Sequence, residues 1–514
     1  MRWSKYSIML IGGLMMSGLS GCQTNDTTGV SGENSVVTES TETVDSQEEE
    51  NSEKESYSNS SDGEHAIEVD GEEQSYSNIE VTKTGDSEGD EADFYGENAA
   101  VFATNGATMT ISDATVNSDG THANGVFSYG DGTTVNISNS TIETTGNCSG
   151  GIMTTGGGTM NAENLTIHTT GNSSAAIRSD RGGGTVTVNG GTYTTDGMGS
   201  PVVYSTADIT VSDSEMISTS SQGVVVEGKN SVTLNNCNLT ADNNTQNSDK
   251  SDYYQAVMIY QSMSGDAASG TSSFTMTDGT LTNKNGDIFF VNNTACDINL
   301  TNASIVNEDA EGLFLRAEAA GWGNEGSNGG KVNLTASNQT IEGDIIVDDV
   351  SALNLYLTDG SSWTGTINES GQTGDVYVEI LGGSTWTLTA DAYVSSLTCD
   401  ADSIVLNGHK LYVDGKEYEE GTESSGTAFE IVSESDVSGM TDGEMPEKPD
   451  GNVTGGDMGN PPEKPDGDNS QIKDGEAPPD KPDGNGQDMG TPPKKPSADN
   501  TPEKSDSDNY GENN

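Results

Sequence analysis

Between Met109 and Ile305 the chain repeats one arrangement: apolar, any residue, apolar, any residue, then Asn, Asp or Gly, and an apolar residue three further on. In "TVNISNSTIETTGNCSGGI" (134–152) the four positions are Val135, Ile137, Asn139 and Ile142. The same frame fits Met109-Ile111-Asp113-Val116, Met160-Ala162-Asn164-Ile167, Val186-Val188-Gly190-Tyr193 and Ile209-Val211-Asp213-Met216. It continues through Val232-Leu234-Asn236-Leu239, Phe274-Met276-Asp278-Leu281 and Ile298-Leu300-Asn302-Ile305. Successive frames begin about 23–26 residues apart, except where longer gaps intervene. Such a period belongs to solenoids and propellers.

The internal pattern decides between them. Short period-2 runs of β-branched residues alternate with Gly/Asn/Asp turns, and helical periodicity is absent. Leucine-rich repeats would need a helical half, and propeller blades about forty residues. An all-β, right-handed parallel β-helix with one coil per repeat remains. Its narrow interior explains why only 30% of residues are hydrophobic, against about 45–50% in ordinary domains. The Asx column is then structural: a turn needing left-handed backbone accepts Gly freely and Asn or Asp better than other residues. Cys148, Cys237, Cys296 and Cys399 show no CxxC spacing and no His-rich cluster, so no zinc site is expected at them; they fall at least two coils apart, too far to bridge within the ~7 Å Cα limit of a disulfide.

A second strand recurs in each coil. Its aliphatic column, Val101, Val126, Ile152, Ile177, Val202, Val224, Val257, Ile288 and Leu313, is expected inside. The following residues, Phe102, Phe127, Met153, Arg178, Val203, Val225, Met258, Phe289 and Phe314, are expected to point outward, because strand neighbours alternate faces and only this column admits an Arg. That places a Phe/Met stripe on the surface as a ligand-binding face. The insertions "ADNNTQNSDKSDYY" (241–254) and "AEAAGWGNEGSNGG" (317–330) are positioned to wall it, bringing Tyr253, Tyr254 and Trp322 toward Met258, Phe289 and Phe314.

The two ends differ from the repeats. Arg2 and Lys5 precede an apolar run, Ile8 to Met16, too short to span a bilayer and typical of an export signal. It ends in Leu19-Ser20-Gly21-Cys22, which resembles the lipobox of bacterial lipoproteins; the resemblance implies cleavage before Cys22 and its acylation, hence a lipid anchor in the cell membrane and exposure on the cell surface. Residues 23–98 and the tail after 433 carry roughly half of the acidic residues. The net charge of −63 argues against nucleic acid or an anionic membrane surface as partner. "PEKPDG" at 446–451 and 462–467 and "PDKPDG" at 479–484 suit an extended linker. The expected organisation is a signal over 1–22, a disordered acidic spacer over 23–65, the β-helix over 66–432 and a disordered tail over 433–514.

The coils resemble those of the pectin-lyase-like superfamily, and more closely adhesin-type β-helix lipoproteins of anaerobic Gram-positive bacteria. The closing coils "QTIEGDIIVDDVSALNLYLTDGSSWTGTIN" (339–368) and "SIVLNGHKLYVDGK" (403–416) carry the likeness. It implies a fold rather than an activity. Non-catalytic adhesion or carbohydrate binding is the expected function, with an extracellular or cell-wall polysaccharide or a neighbouring cell surface as partner; a surface spacer is a further alternative. A polysaccharide lyase acting on a uronate-containing glycan with Ca²⁺ is the enzymatic alternative. It needs a cationic base beside cation-binding carboxylates, and "RSDRGGG" offers Arg178, Asp180 and Arg181, although no acidic triplet faces Arg178 in recognisable register. "GHK" at 408–410 lacks the surroundings of a glycosidase motif, so His409 is expected in a turn. No cofactor is expected outside the lyase reading, under which Ca²⁺ is possible.

Overall fold

The structure, a computed structural model, describes residues 54–432 apart from 90, 263, 372 and 373. The proposed signal with Cys22, residues 23–53 and the tail from 433 lie outside the described residues.

Every long strand ladder is parallel. In one, Met109 pairs with Val135, Val135 with Met160, and the register runs on through Val186, Ile209, Val232, Phe274 and Ile298 to Leu334, Leu355, Val378 and Leu397. A second ladder stacks Val81, Val116, Ile142, Ile167, Tyr193, Met216, Leu239, Leu281 and Ile305. A third forms an 11-stranded sheet from Ile67–Asp70 to Ile345–Val347. The chain is a parallel β-helix, and the repeat frame is its coil. Val135, Ile142 and Ile152 of the quoted stretch are fully buried in one continuous core.

The Asx column sits where a left-handed turn is needed. Asp113, Asn139, Asn164, Asp213, Asn236, Asp278 and Asn302 all have φ between 48° and 57°, and Gly190 has φ 68°. Their side chains also bond along the stack: Asn164 Nδ2 donates to Asn139 Oδ1 at 2.9 Å, and Asn302 Nδ2 to Asp278 Oδ1 at 2.6 Å. No disulfide joins the four cysteines to one another, and Cys237, Cys296 and Cys399 are buried. His409 closes a turn on Leu406, its amide donating to that carbonyl at 2.9 Å. Trp363 and Trp386 stack at 4.5 Å in the closing coils, each indole N–H satisfied by a glycine carbonyl of the preceding coil.

Two expectations are corrected. The β-helix begins before residue 66: Glu55–Asn59 pairs along its whole length with Ile79–Lys83. "ESYSN" has no aliphatic residue, and only Tyr57 packs on the core, edge-on to Tyr76 at 5.7 Å, so this terminal coil carries no apolar alternation to read. The third ladder also slips from its expected phase in three coils. Val203, Phe289 and Leu315 hold the inward register of the ladder; Val202 and Ile288 are buried in the core as expected, while Leu313 is half-buried. Phe289 therefore belongs to the core, and Phe314, just before the strand Leu315–Ala317, packs into it with the two rings 5.6 Å apart. Tyr204, Phe290 and Arg316 take the outward positions instead.

Candidate functional site

The outward column of the third ladder runs Phe102, Phe127, Met153, Arg178, Tyr204, Val225, Met258, Phe290 and Arg316. Its apolar members point away from the core yet are buried, because two lids cover them. The first lid is the short helix Glu91–Tyr95 and the turn after it. Gly96, at φ 68°, lies so close to the stripe that a Cβ there would sit 2.7 Å from the Phe102 ring. His65 stacks on Phe102 at 4.4 Å, and Thr155 Oγ1 donates to the Phe94 carbonyl at 2.6 Å. The second lid is made by the two insertions: Tyr253 and Trp322 pack with Val225, Met258 and Phe290. An exposed Phe/Met stripe is thus replaced by two covered clusters, with burial supplying the reason: a bare stripe of this size would leave several large apolar side chains in water.

Between the lids the column is polar and open. A cavity of about 810 Å³ is lined by Asp93 and Phe94 from the helix, Arg178, Asp180 and Arg181 from the coil, and Tyr204, Tyr260 and Asp266. A smaller hollow of about 120 Å³ adjoins it, sharing Gly199, Pro201, Tyr204, Asn247 and Tyr260, and extends under Tyr253, Tyr254, Met258 and Trp322. Four of the nine expected ligand-binding residues, Tyr253, Tyr254, Met258 and Trp322, therefore meet at one end of this cleft. Phe102, Phe127 and Met153 lie under the helix lid, while Phe289 and Phe314 are inside the core.

Arg178, Asp180 and Arg181 are brought together as expected, and their partners come from afar. The Arg178 guanidinium donates to Asp93 Oδ2 at 3.0 Å and to Asp180 Oδ2 at 2.9 Å. Arg181 pairs with Asp266 and stacks over the Phe94 ring at 4.1 Å. Acidic residues thus do face these arginines, but they are supplied by a helix 85 residues upstream and a loop 85 residues downstream. Burial works against the charge of Arg178, but Asp93 and Asp180 outweigh it and hold the guanidinium above its ordinary pKa. Burial likewise resists ionisation of Asp93, yet Arg178 and His122 keep its pKa below the usual carboxylate value. For Asp180 burial wins over Arg178, and its pKa is pushed up to about 6.

Glu227 was not anticipated. It is buried behind the cleft-lining Tyr204 and Tyr260, whose hydroxyls donate to Oε2, while the Ser262 hydroxyl donates to Oε1. Burial raises its pKa against the pull of those three donors. The "VVVE" run gave no polar neighbour to mark it; its partners lie 23–35 residues away. At the far end Arg316 bonds Asp287 at 2.6 Å and Glu318 at 2.9 Å, and its guanidinium lies 3.7 Å over the Tyr253 ring.

Ca²⁺ requires six to eight oxygen ligands. With one oxygen of each of Asp93, Asp180 and Asp266 already held by an arginine, the oxygens left on the three cleft carboxylates fall short of that number. No protein-family model and no curated protein sequence matches the chain, so the reading of the cleft rests on its own geometry.

Proposed function

We propose that the protein is an extracytoplasmic carbohydrate-binding β-helix, tethered by lipid at Cys22, which holds a glycan in the cleft between its two lids. One observation carries this reading: Tyr204, Tyr260, Tyr253 and Trp322 line a hollow that opens into a charged cavity of about 810 Å³. Aromatic faces stack on the C–H faces of sugar rings, while carboxylates and amides take the hydroxyls. Side chains held by a stacked sheet give such a site rigidity, which limits the ordering cost of binding.

The cleft is poorly suited to polyuronate. Three carboxylates, Asp93, Asp180 and Asp266, stand against two arginines, both ion-paired. Arg178, locked between two acids with a raised pKa, makes a poor proton-abstracting base. Neutral or amino sugars are the favoured ligand class, and binding is favoured over lyase chemistry.

A glycan array run with and without Ca²⁺, beside an absorbance assay for uronate elimination, separates the readings. Retention of neutral or amino-sugar oligosaccharides independent of Ca²⁺, lost in Tyr260→Ala with Trp322→Ala, supports the proposal. Elimination activity would replace it with the lyase, and silence in both assays would leave a surface spacer.

A further inference from the structure

We propose a soft divalent-cation site of the zinc class at Asp93, His122 and Cys148, beneath the helix lid. A carboxylate oxygen, an imidazole nitrogen and the thiol sulfur lie within 4.8 Å of one another, and His122 Nδ1 is 3.2 Å from Asp93 Oδ2. Zinc bonds of about 2.0–2.3 Å set tetrahedral ligand separations near 3.4–3.7 Å, so modest side-chain rotations close the site. The donor set is what zinc selects; Ca²⁺ and Mg²⁺ would not choose a thiol and an imidazole.

Three independent segments converge here. His122 and Cys148 are successive rungs of one turn column, both left-handed at φ 54° and 56°. Further along, Ser173 and Gly199 make the same turn at φ 55° and 64°, so the turn itself does not require an imidazole or a thiol. Asp93 arrives from the helix lid and is already oriented: Arg178 donates to Oδ2, and Asn124 Nδ2 lies 3.3 Å from Oδ1. Such outer hydrogen bonds are the usual support of a ligating carboxylate. Asp93 and Cys148 also line the large cavity, leaving a fourth position open toward it, as in zinc sites that bind water or a ligand. The site stands whether or not the cleft holds a glycan.

The test is titration of the reduced, purified protein with Co²⁺ and then Zn²⁺, in excess Ca²⁺ to occupy diffuse carboxylate sites. The expected result is one equivalent bound with thiolate-to-cobalt charge-transfer absorption, displaced by Zn²⁺. Cys148→Ser should abolish that absorption, His122→Asn should weaken binding tenfold or more, and Cys399→Ser should leave both unchanged. Because Asn tolerates the left-handed turn, His122→Asn decides the matter if Cys148→Ser does not fold. Absence of the charge-transfer band in the wild type, or its persistence in Cys148→Ser or at full affinity in His122→Asn, would overturn the site.

Discussion

Asn164 shows how much one residue carries. Its φ of 52° is a conformation that costs an ordinary L-residue about 1–2 kcal/mol, and its amide extends the stack to Asn139. Asn164→Val should therefore lower the unfolding free energy by about 1–2 kcal/mol in urea titration, while Asn164→Gly should cost less. Gly171 poses the opposite constraint: a Cβ there would overlap the Gly146 carbonyl oxygen of the coil before. Gly171→Ala should destabilise by about 1–3 kcal/mol, the range for overpacking. The Asx turn was legible because the same residue type recurs at a fixed spacing. The packing role of Gly171 was not, since glycine also marks loops that need no close contact. In the cleft, Arg178→Met should destabilise by about 3–5 kcal/mol, because it leaves Asp93 and Asp180 buried without a countercharge. The same variant should move the Asp180 titration, followed by carboxyl NMR, further upward, because the attraction of Arg178 that opposes the effect of burial is lost.

At the scale of strands and lids, alternation located the ladders but not always their phase. Val101, Val126 and Ile152 were placed correctly because a single aliphatic residue was available in each strand. "PVVY" and "DIFFVN" offer two or more, and a slip of one residue exchanges the faces. Hence the alternation points to Phe289 where the structure places Phe290, and it gives no sign of Tyr204, a residue central to the cleft. The lids were harder still: Asp93 reaches Arg178 across 85 residues, a contact that no local period encodes. Between coils, His168 bridges Glu143 at 3.2 Å and Asp196 at 2.8 Å. Burial lowers its pKa, but the two carboxylates prevail and raise it above 6.5. A raised histidine pKa means that the bridge stabilises the fold fully below about 6.5 and is lost as pH climbs through the folded-state value. His168→Gln should flatten the decline of thermal stability on the alkaline side of 6.5, a change readable by melting curves across that window; an unchanged slope would mean that the bridge contributes nothing.

For the β-helix as a whole, each coil buries its apolar face only against its neighbours, so a lean sequence still closes a continuous core. That architecture is readable from the period together with the two-residue alternation inside each repeat. The function is not, because the cleft is assembled where a helix and two insertions interrupt the period, and one fold hosts many activities. In the proposed reading the candidate lipobox at Cys22 would tether the protein outside the cell, and the cleft would be the surface on which binding depends. Trp322 offers a direct reporter there: Trp363 and Trp386 are buried in the closing coils, whereas Trp322 is only half-buried over the hollow. The deciding measurement is a tryptophan-fluorescence titration with a panel of neutral and amino-sugar oligosaccharides. The account predicts a saturable change with at least one of them, absent in Trp322→Phe and with the affinity reduced tenfold or more in Tyr260→Ala. A panel that produces no saturable change, confirmed by calorimetry, or binding undiminished in Tyr260→Ala, would contradict it.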